Sequence, residues 1–459
     1  MLYYENIQKA MGVEIAESQE MADAVLLWNR MYRNKAPWLN AKLNIRSLDL
    51  ASAVCSEMAN AVTMEAQLSV EGGNERAVFL DSMMQKVFSD LPYIVEFAAA
   101  GGGLVLKPYV AGRKIFVDYV RSDSFFPVTF DSAWGITAAI FPEYLVKGKW
   151  LFTRLEYHAY NETDGTYQII NKAFKSKKAA VKTNDVLNLG HEVGLSEVAQ
   201  WTDIEPEILL QGADRPLFAY LKVPMANNVD PDSPLGVSLY ARAVNDIRDA
   251  DEQYGGILWE FRSKETAVQA GSEFFDQDRE GHSVLPKGKE RLYHDLGDVV
   301  DKTGTPFFNV YSPEIRDQSF FNGLNRILRR VEFNCRLAYG TISDPQQVDK
   351  TAEEVKSSKQ RTYSMVKAFQ TSTYNALSGL LGAMDAWVDI AGFAPAGKVE
   401  LKSNWDDSVI VDKDSERKSD RADVAMGAMP VWEYRMKWYR EDEETAKRKV
   451  GIQEDVIVG

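Results

Sequence analysis

The sequence predicts an α+β protein built from several domains, and three observations carry that prediction. Stretches before residue 100 and after residue 312 repeat apolar residues with the period of a helix. After Gly101-Gly102-Gly103 the period changes to that of strands and stays so to about residue 225. Two further long helical patterns then bracket an insert punctuated by glycines.

Taken in order, Ser18 followed by QEMADAVLLWNRMY reads as a capped amphipathic helix with Met21, Ala24, Val25, Trp28 and Tyr32 on one face. Arg46–Glu71 begins as a helix and ends in a short strand. Residues 77–100 read as one more helix, stopped by the three glycines. LVLKPYV, KIFVDYV, FFPVTFD, WGITAAIFPEYLV, WLFTRLEYHAY and TYQIINKAF are strand-like runs. Ala111-Gly112-Arg113 and Glu162-Thr163-Asp164-Gly165 supply turns between them. Trp201-Thr202-Asp203 and ILLQGADRPLFAYLKV complete an antiparallel β-region over 104–225.

The stretch Pro234–Gly340 organises the rest. A helix is expected from Ser238 to Arg262, with Tyr240, Val244, Ile247, Tyr254, Ile257, Leu258 and Phe261 on its face. A second is expected to start at Ser312-Pro313-Glu314 and to bury Phe320, Leu324, Ile327, Leu328, Val331, Cys335 and Ala338. Each has roughly 24 residues and would be about 36 Å long. Periodicity alone leaves two arrangements open, a hairpin with a domain at its tip or an ordinary helix pair in a core. The insert, 263–311, suits a small α/β module. TISDPQQVDK reads as a polar loop, and Thr351 with Glu354 as a capping box. A helix of roughly 40 residues follows, with Gly379 and Gly382 as possible bends; beyond about 25 residues, such length suggests an elongated assembly. KVELKSNW is a strand, and residues 430–450 are helical.

Composition excludes several classes. The apolar share of 45% and charged share of 26% are those of an ordinary soluble protein. MLYYENIQKA lacks a basic start followed by an apolar stretch, so no secretory leader is expected. The most apolar windows fall short of about 18 residues, so no membrane span is expected. Two cysteines, Cys55 and Cys335, make no disulfide framework and point to a reducing cytoplasm. A net charge of −14 argues against a surface that grips nucleic acid by neutralising phosphates. It does not argue against one that lets nucleic acid slide past.

The motifs of catalysis are thin. His158, His191, His282 and His294 sit in no metal-ligand spacing. No Gly-Lys-Ser/Thr follows the three glycines, which read as a helix stop. Asp412-Lys413-Asp414-Ser415-Glu416 resembles the start of a calcium loop. Its sixth position is Arg417 and its twelfth Asp423, so a solvated charged loop is expected instead. No catalytic residue, metal ligand or cofactor is expected, and the chain is not expected to be an enzyme.

Several stretches together resemble one family. LDLASAVCSEMANAV, GGGLVLKPYV, KIFVDYVRSDSFFPVTFD, SPLGVSLYARAVNDIRDADEQYGGILWEF, FNVYSPEIRDQSFFNGLNRILRRVEFNCRLAYGTIS and DKTAEEVKSSKQRTYSMV resemble, in order, segments of tailed-bacteriophage portal proteins. The likeness is to the branch typical of long-tailed phages and prophages of Gram-positive bacteria, and runs from about residue 18 to 445. It implies a portal-type architecture. Residues 1–237 would be a β-rich wing, 238–262 and 312–340 the two stem helices, and 263–311 a clip. Residues 341–350 would be a tunnel loop, 351–412 the long wing helix and strand, and 413–459 a C-terminal crown.

The resemblance also implies a role. The chain would form a cyclic homo-oligomer, usually of twelve, at the unique capsid vertex of the virion, after assembly in the host cytoplasm. Double-stranded DNA would be packaged and ejected through it without sequence specificity. Its partners would be the large terminase, which supplies the packaging ATPase, a head–tail adaptor, and the major capsid and scaffolding proteins. The tunnel-loop residues Ser343, Asp344, Gln346, Gln347, Asp349 and Lys350 would face DNA. Lys350, Lys356, Lys359 and Arg361 suit either transient phosphate contacts or a solvated face, and Glu353 and Glu354 among them favour the latter. The alternative from residues alone is a soluble acidic multidomain enzyme, a carboxylate-based hydrolase packed as a monomer or dimer.

Overall fold

The computed structural model describes residues 2–177, 189–280, 282–285, 292–300, 304–305, 307–344, 352–405 and 413–451. They divide into two compact units, one of residues 1–64 and 68–403, the other of 65–67 and 404–459.

In the first unit, α1 (Leu2–Met11) and α2 (Gln19–Tyr32) precede α3 (Leu50–Thr63), β1 (Ala66–Glu71), α4 (Glu75–Ser89) and α5 (Leu91–Gly101). Ser18 caps α2, accepting a bond from the Met21 amide at 3.3 Å. The single helix expected over 77–100 is two. Pro92 fits the first turn of a new helix but cannot continue an old one, and the chain breaks at Asp90. Helix α5 is almost entirely buried and ends at Gly102, whose φ of 90° favours glycine.

The β-region forms two sheets rather than one. Strands β2 (Gly103–Ala111), β3 (Lys114–Arg121), β4 (Phe126–Asp131), β5 (Gly135–Lys147), β6 (Trp150–Asn161), β7 (Thr166–Lys177), β8 (His191–Val193), β9 (Glu207–Gln211) and β10 (Ala219–Lys222) follow in sequence. β10-β2-β3 is one antiparallel sheet. β4-β5-β6-β7-β8 is the other, with β9 also on β7. The β6–β7 hairpin turns where 162–165 predict it, with Asn161 opposite Thr166. Ile7 and Met11 of α1, with Ile15 from the segment after it, pack against Phe126, Ile140, Leu155 and Phe174 of the larger sheet.

Two helices and an insert come next. They are α6 (Val244–Ser263), β11 (Ala267–Ala270), β12 (Asp276–Gln277), β13 (Ser283–Val284), β14 (Tyr293–Asp295), β15 (Phe308–Tyr311) and α7 (Asp317–Asn334). The expected α/β insert is corrected: its described residues form strands and one 3-10 turn. β11 pairs parallel with β14 and antiparallel with β15, and β12 pairs with β13.

Helix α8 (Ala352–Ala391) is continuous over 40 residues. Its two glycines serve close packing: a Cβ on Gly379 would meet Ala219, and one on Gly382 would collide with the Arg215 guanidinium. Arg76, 2% exposed, anchors α4 to α8 through Asp385 and, at 2.7 Å, Asp389. Strand β16 (Glu400–Trp405) pairs with β1. The capping box is outside the described side chains.

The second unit contains α9 (Lys413–Ala425), α10 (Val431–Tyr439) and α11 (Glu443–Val450). Helix α9 replaces the expected charged loop, and helical backbone from Lys413 onward is incompatible with a calcium loop. Tyr434 of α10 accepts from Arg417 and Arg421 of α9 at 3.2 and 3.0 Å.

Candidate functional site

The organising helices start later than periodicity predicts, because burial takes the residues before them. Gly102 and Gly236 pass so closely that a Cβ on either would collide with the other's carbonyl. This close crossing seats Gly236–Tyr240 under α5. The Ser238 hydroxyl and the Leu239 amide donate to the Ala99 carbonyl at 3.2 and 2.9 Å, and the Tyr240 hydroxyl donates to the Trp28 carbonyl at 2.8 Å. A segment committed to those bonds cannot be helical, so α6 begins at Val244, after a 3-10 turn. Helix α7 begins at Asp317, not Ser312. The Arg316 guanidinium is held by Glu260 at 3.0 and 3.1 Å, while Ser312 reaches across to Thr266.

The two helices lie antiparallel and are clasped at both ends. Glu260 of α6, 6% exposed, pairs with Arg316, which holds its carboxyl below the usual range. At the other end Asp246 of α6, also 6% exposed, pairs with Arg330 at 3.0 Å and accepts from Asn334 of α7 at 2.7 Å. Gly256 brings the Phe320 ring within 3.8 Å of where a Cβ would stand. Asp251 ties α6 to the N-terminal segment, accepting from the Trp38 indole at 2.9 Å and the Leu48 amide at 2.8 Å; burial raises its carboxyl above the ordinary value.

Large apolar side chains fall outside this seam. Trp259 is 60% exposed, Phe321 42%, Phe261 40% and Phe333 51%. In the insert, all four residues of the edge strand β15 are exposed. The expected stripe on α6 is therefore only partly internal: Ile247 and Ile257 are buried, while Phe261 is not.

The end of α7 carries an arrangement that periodicity does not suggest. Glu332 is fully buried, and its Oε1 accepts from the amides of Gly340, Ile342 and Ser343 at 3.0, 2.8 and 2.9 Å. Its Oε2 accepts from the Ser343 hydroxyl at 2.8 Å. Asn325, two turns earlier on the same face, accepts from the Asp344 amide at 2.8 Å. These two polar residues fix the backbone where the chain leaves the helix. Arg336, at φ 63°, reverses it. Of the loop residues expected from the sequence, Ser343 is buried on Glu332 and Asp344 is exposed. Gln346, Gln347, Asp349 and Lys350 lie outside the described residues.

Two further polar clusters lie elsewhere among the described residues. His158 lies between the Tyr167 hydroxyl at 2.8 Å and Glu156 at 2.7 Å. Burial pushes the imidazole below its usual pKa. At Glu156 burial would raise the carboxyl, but His158, Lys107 and Arg154 outweigh it and hold it well below the carboxylate range. Tyr167 is 0% and His158 3% exposed, while Glu156 also lines a cavity of about 300 Å³ with Lys107, Asp118 and Arg154. Asp278, Glu280 and His282 bring exposed ligand atoms within 4.8 Å of one another. Asp278 there accepts from the amides of Glu280 and His282, as in an ordinary polar turn. No described helix is long and apolar enough to cross a membrane.

No known family model matches the chain. No curated protein matches it. Among solved structures, it is similar to a chain from the virion of a native gene transfer agent particle. The TM-score is 0.45, with 11% identity over 99% of each chain. It is also similar to a chain from the neck of the native particle, computed with C12 symmetry, at TM-score 0.43 and 12% identity over 99% of each. A third, from the neck of the empty particle computed with C6 symmetry, gives 0.42 and 10%, covering 99% of this chain and 100% of the other. Superpositions this loose assign neither a fold nor a role to this chain.

Proposed function

We propose that the chain is the subunit of a phage-type portal ring, a structural DNA channel at a capsid vertex with no catalytic site of its own. The observation that carries the reading is the α6–α7 pair. The Glu260–Arg316 and Asp246–Arg330 ion pairs clasp the two helices to each other, while Trp259, Phe261 and Phe321 are left exposed. Phe261 and Phe321 stand together, with ring centroids 6.4 Å apart, and Trp259, two residues from Phe261 on the same helix, projects to another side; a heterologous ring, in which each protomer meets a neighbour on two sides, would cover both. The resemblance of SPLGVSLYARAVNDIRDADEQYGGILWEF and the α7 stretch to portal stems points the same way. On this reading α6 and α7 are the stem, the β-insert the clip, α8 the long wing helix and 341–350 the tunnel loop.

The double variant W259S/F321S tests the interface. Both side chains are exposed in the protomer, so the variant is expected to fold with an unchanged circular dichroism spectrum and to lose the ring in sedimentation. A variant that folds and still forms rings indistinguishable from wild type removes the observation on which the reading rests.

A further inference from the structure

The C-terminal end of α7 bears a basic concavity in a chain whose net charge is −14. Arg326, Arg329, Arg330, Phe333, Asn334 and Tyr339 line a cavity of about 400 Å³. The spacing i, i+3, i+4, i+7 puts the first four on one helical face. Arg326 is exposed and Arg330 74% exposed, with Asp246 engaging the latter from α6. Arg329 lies over the Tyr339 ring at 5.0 Å, and Arg361 of α8 lies over the rings of Tyr339 and Phe333 at 5.1 and 4.7 Å. Glu332 on the same turn is not available to these cations, since its oxygens take the donors of Gly340–Ser343.

A helix C-terminus attracts cations by its dipole, and that alone could account for an arginine in the last turn. It does not account for Arg326, two turns earlier, for Arg361 brought from another helix, or for a concave wall closed by Tyr339.

We propose that this pocket recognises phosphate and takes the phosphodiester backbone of nucleic acid. Guanidinium forks match phosphate oxygens in pairs, which lysines cannot do. Neighbouring residues at i, i+3 stand about 5–6 Å apart, close enough for two forks to act on one stretch of backbone. The net acidity of the chain opposes extended attraction to phosphates, so contact through a few arginines would be readily broken, as a sliding polymer requires. The proposal rests on the channel reading for the identity of the polymer.

The test uses the full chain and a labelled duplex of about 20 base pairs, titrated between about 50 and 200 mM salt. Wild type is expected to bind with affinity that falls steeply with salt. R326Q/R329Q should weaken binding at low salt about tenfold or more and reduce the log–log salt slope by about 1.8, at about 0.9 per lost contact. R326Q alone, at an exposed side chain, should reduce it by about 0.9 and guards against misfolding of the double variant. R326K/R329K should keep the slope. Failure of wild type to bind, or equal slopes in wild type and R326Q, overturns the proposal. So does saturation by inorganic phosphate that leaves duplex binding unchanged, which would make this a free-phosphate site. Loss of rings with unchanged duplex binding would instead seat an acidic segment of a neighbouring copy in the pocket, and also overturns it. A chain that forms no rings yet binds duplex through these arginines contradicts the channel reading and leaves the pocket standing.

Discussion

The charge state of Glu17 is coupled to the fold. It accepts from the Tyr4 hydroxyl at 2.5 Å, where α1 docks on the larger sheet. Burial raises its pKa from 4.5 to about 7, although the Tyr4 bond works the other way. Between those values the folded chain keeps a proton that the unfolded chain releases. The stability that Glu17 contributes therefore falls as pH rises through this window and levels off above about 7, by about 3 kcal/mol, while the buried His158, with its lowered pKa, works in the opposite direction below the ordinary imidazole value. Urea midpoints at pH 5, 6, 7 and 8 should show this decline in the difference between wild type and E17Q, since both keep the His158 contribution. An E17Q variant with the wild-type decline would assign the effect to another group. The sequence gives no sign of it: GVEIAESQE shows an acidic stretch before a helix, and only the fold reveals that one carboxyl is covered by α1.

At the scale of elements, local chemistry was legible and long-range competition was not. Gly112 and Gly165 mark their turns because those backbones have positive φ, and the three glycines stop α5 as predicted. The break at Asp90 was also written in the chain, as Leu91-Pro92 inside an otherwise helical pattern. The late starts of α6 and α7 were not, since they depend on Ala99, Trp28 and Glu260, far away in sequence. The arginines at 326, 329 and 330 were visible at helical spacing, yet nothing local says that Tyr339 and Arg361 close a wall beside them. Glu332 is the clearest omission: one carboxylate in a helix rich in charge, it proves to hold the exit of α7. Replacing it by alanine strands three amides and a hydroxyl, and should cost about 3–5 kcal/mol in urea denaturation. E332Q, which keeps an accepting oxygen, should cost less. An E332A variant within about 0.5 kcal/mol of wild type would place it among ordinary surface positions.

For the whole molecule, the α+β class and the run of strands over 104–225 follow from the sequence. That the strands divide into two sheets does not, because a β-run carries no record of which neighbour β10 will choose. The 40-residue α8 is too long for an ordinary core helix, and α6, α7 and β15 leave large apolar side chains, among them Trp259, Phe321, Phe333, Phe308 and Val310, exposed in the protomer. The proposed ring would reconcile these features with a protomer whose α6–α7 ion pairs are already made within it. The direct test is the solution mass of the purified chain, with single particles imaged alongside. Twelve copies of a 51.7 kDa chain come to about 620 kDa in a closed heterologous ring. The account predicts particles near that mass with a central hole. A compact monomer or dimer that stays so when mixed with capsid and scaffolding proteins would contradict it.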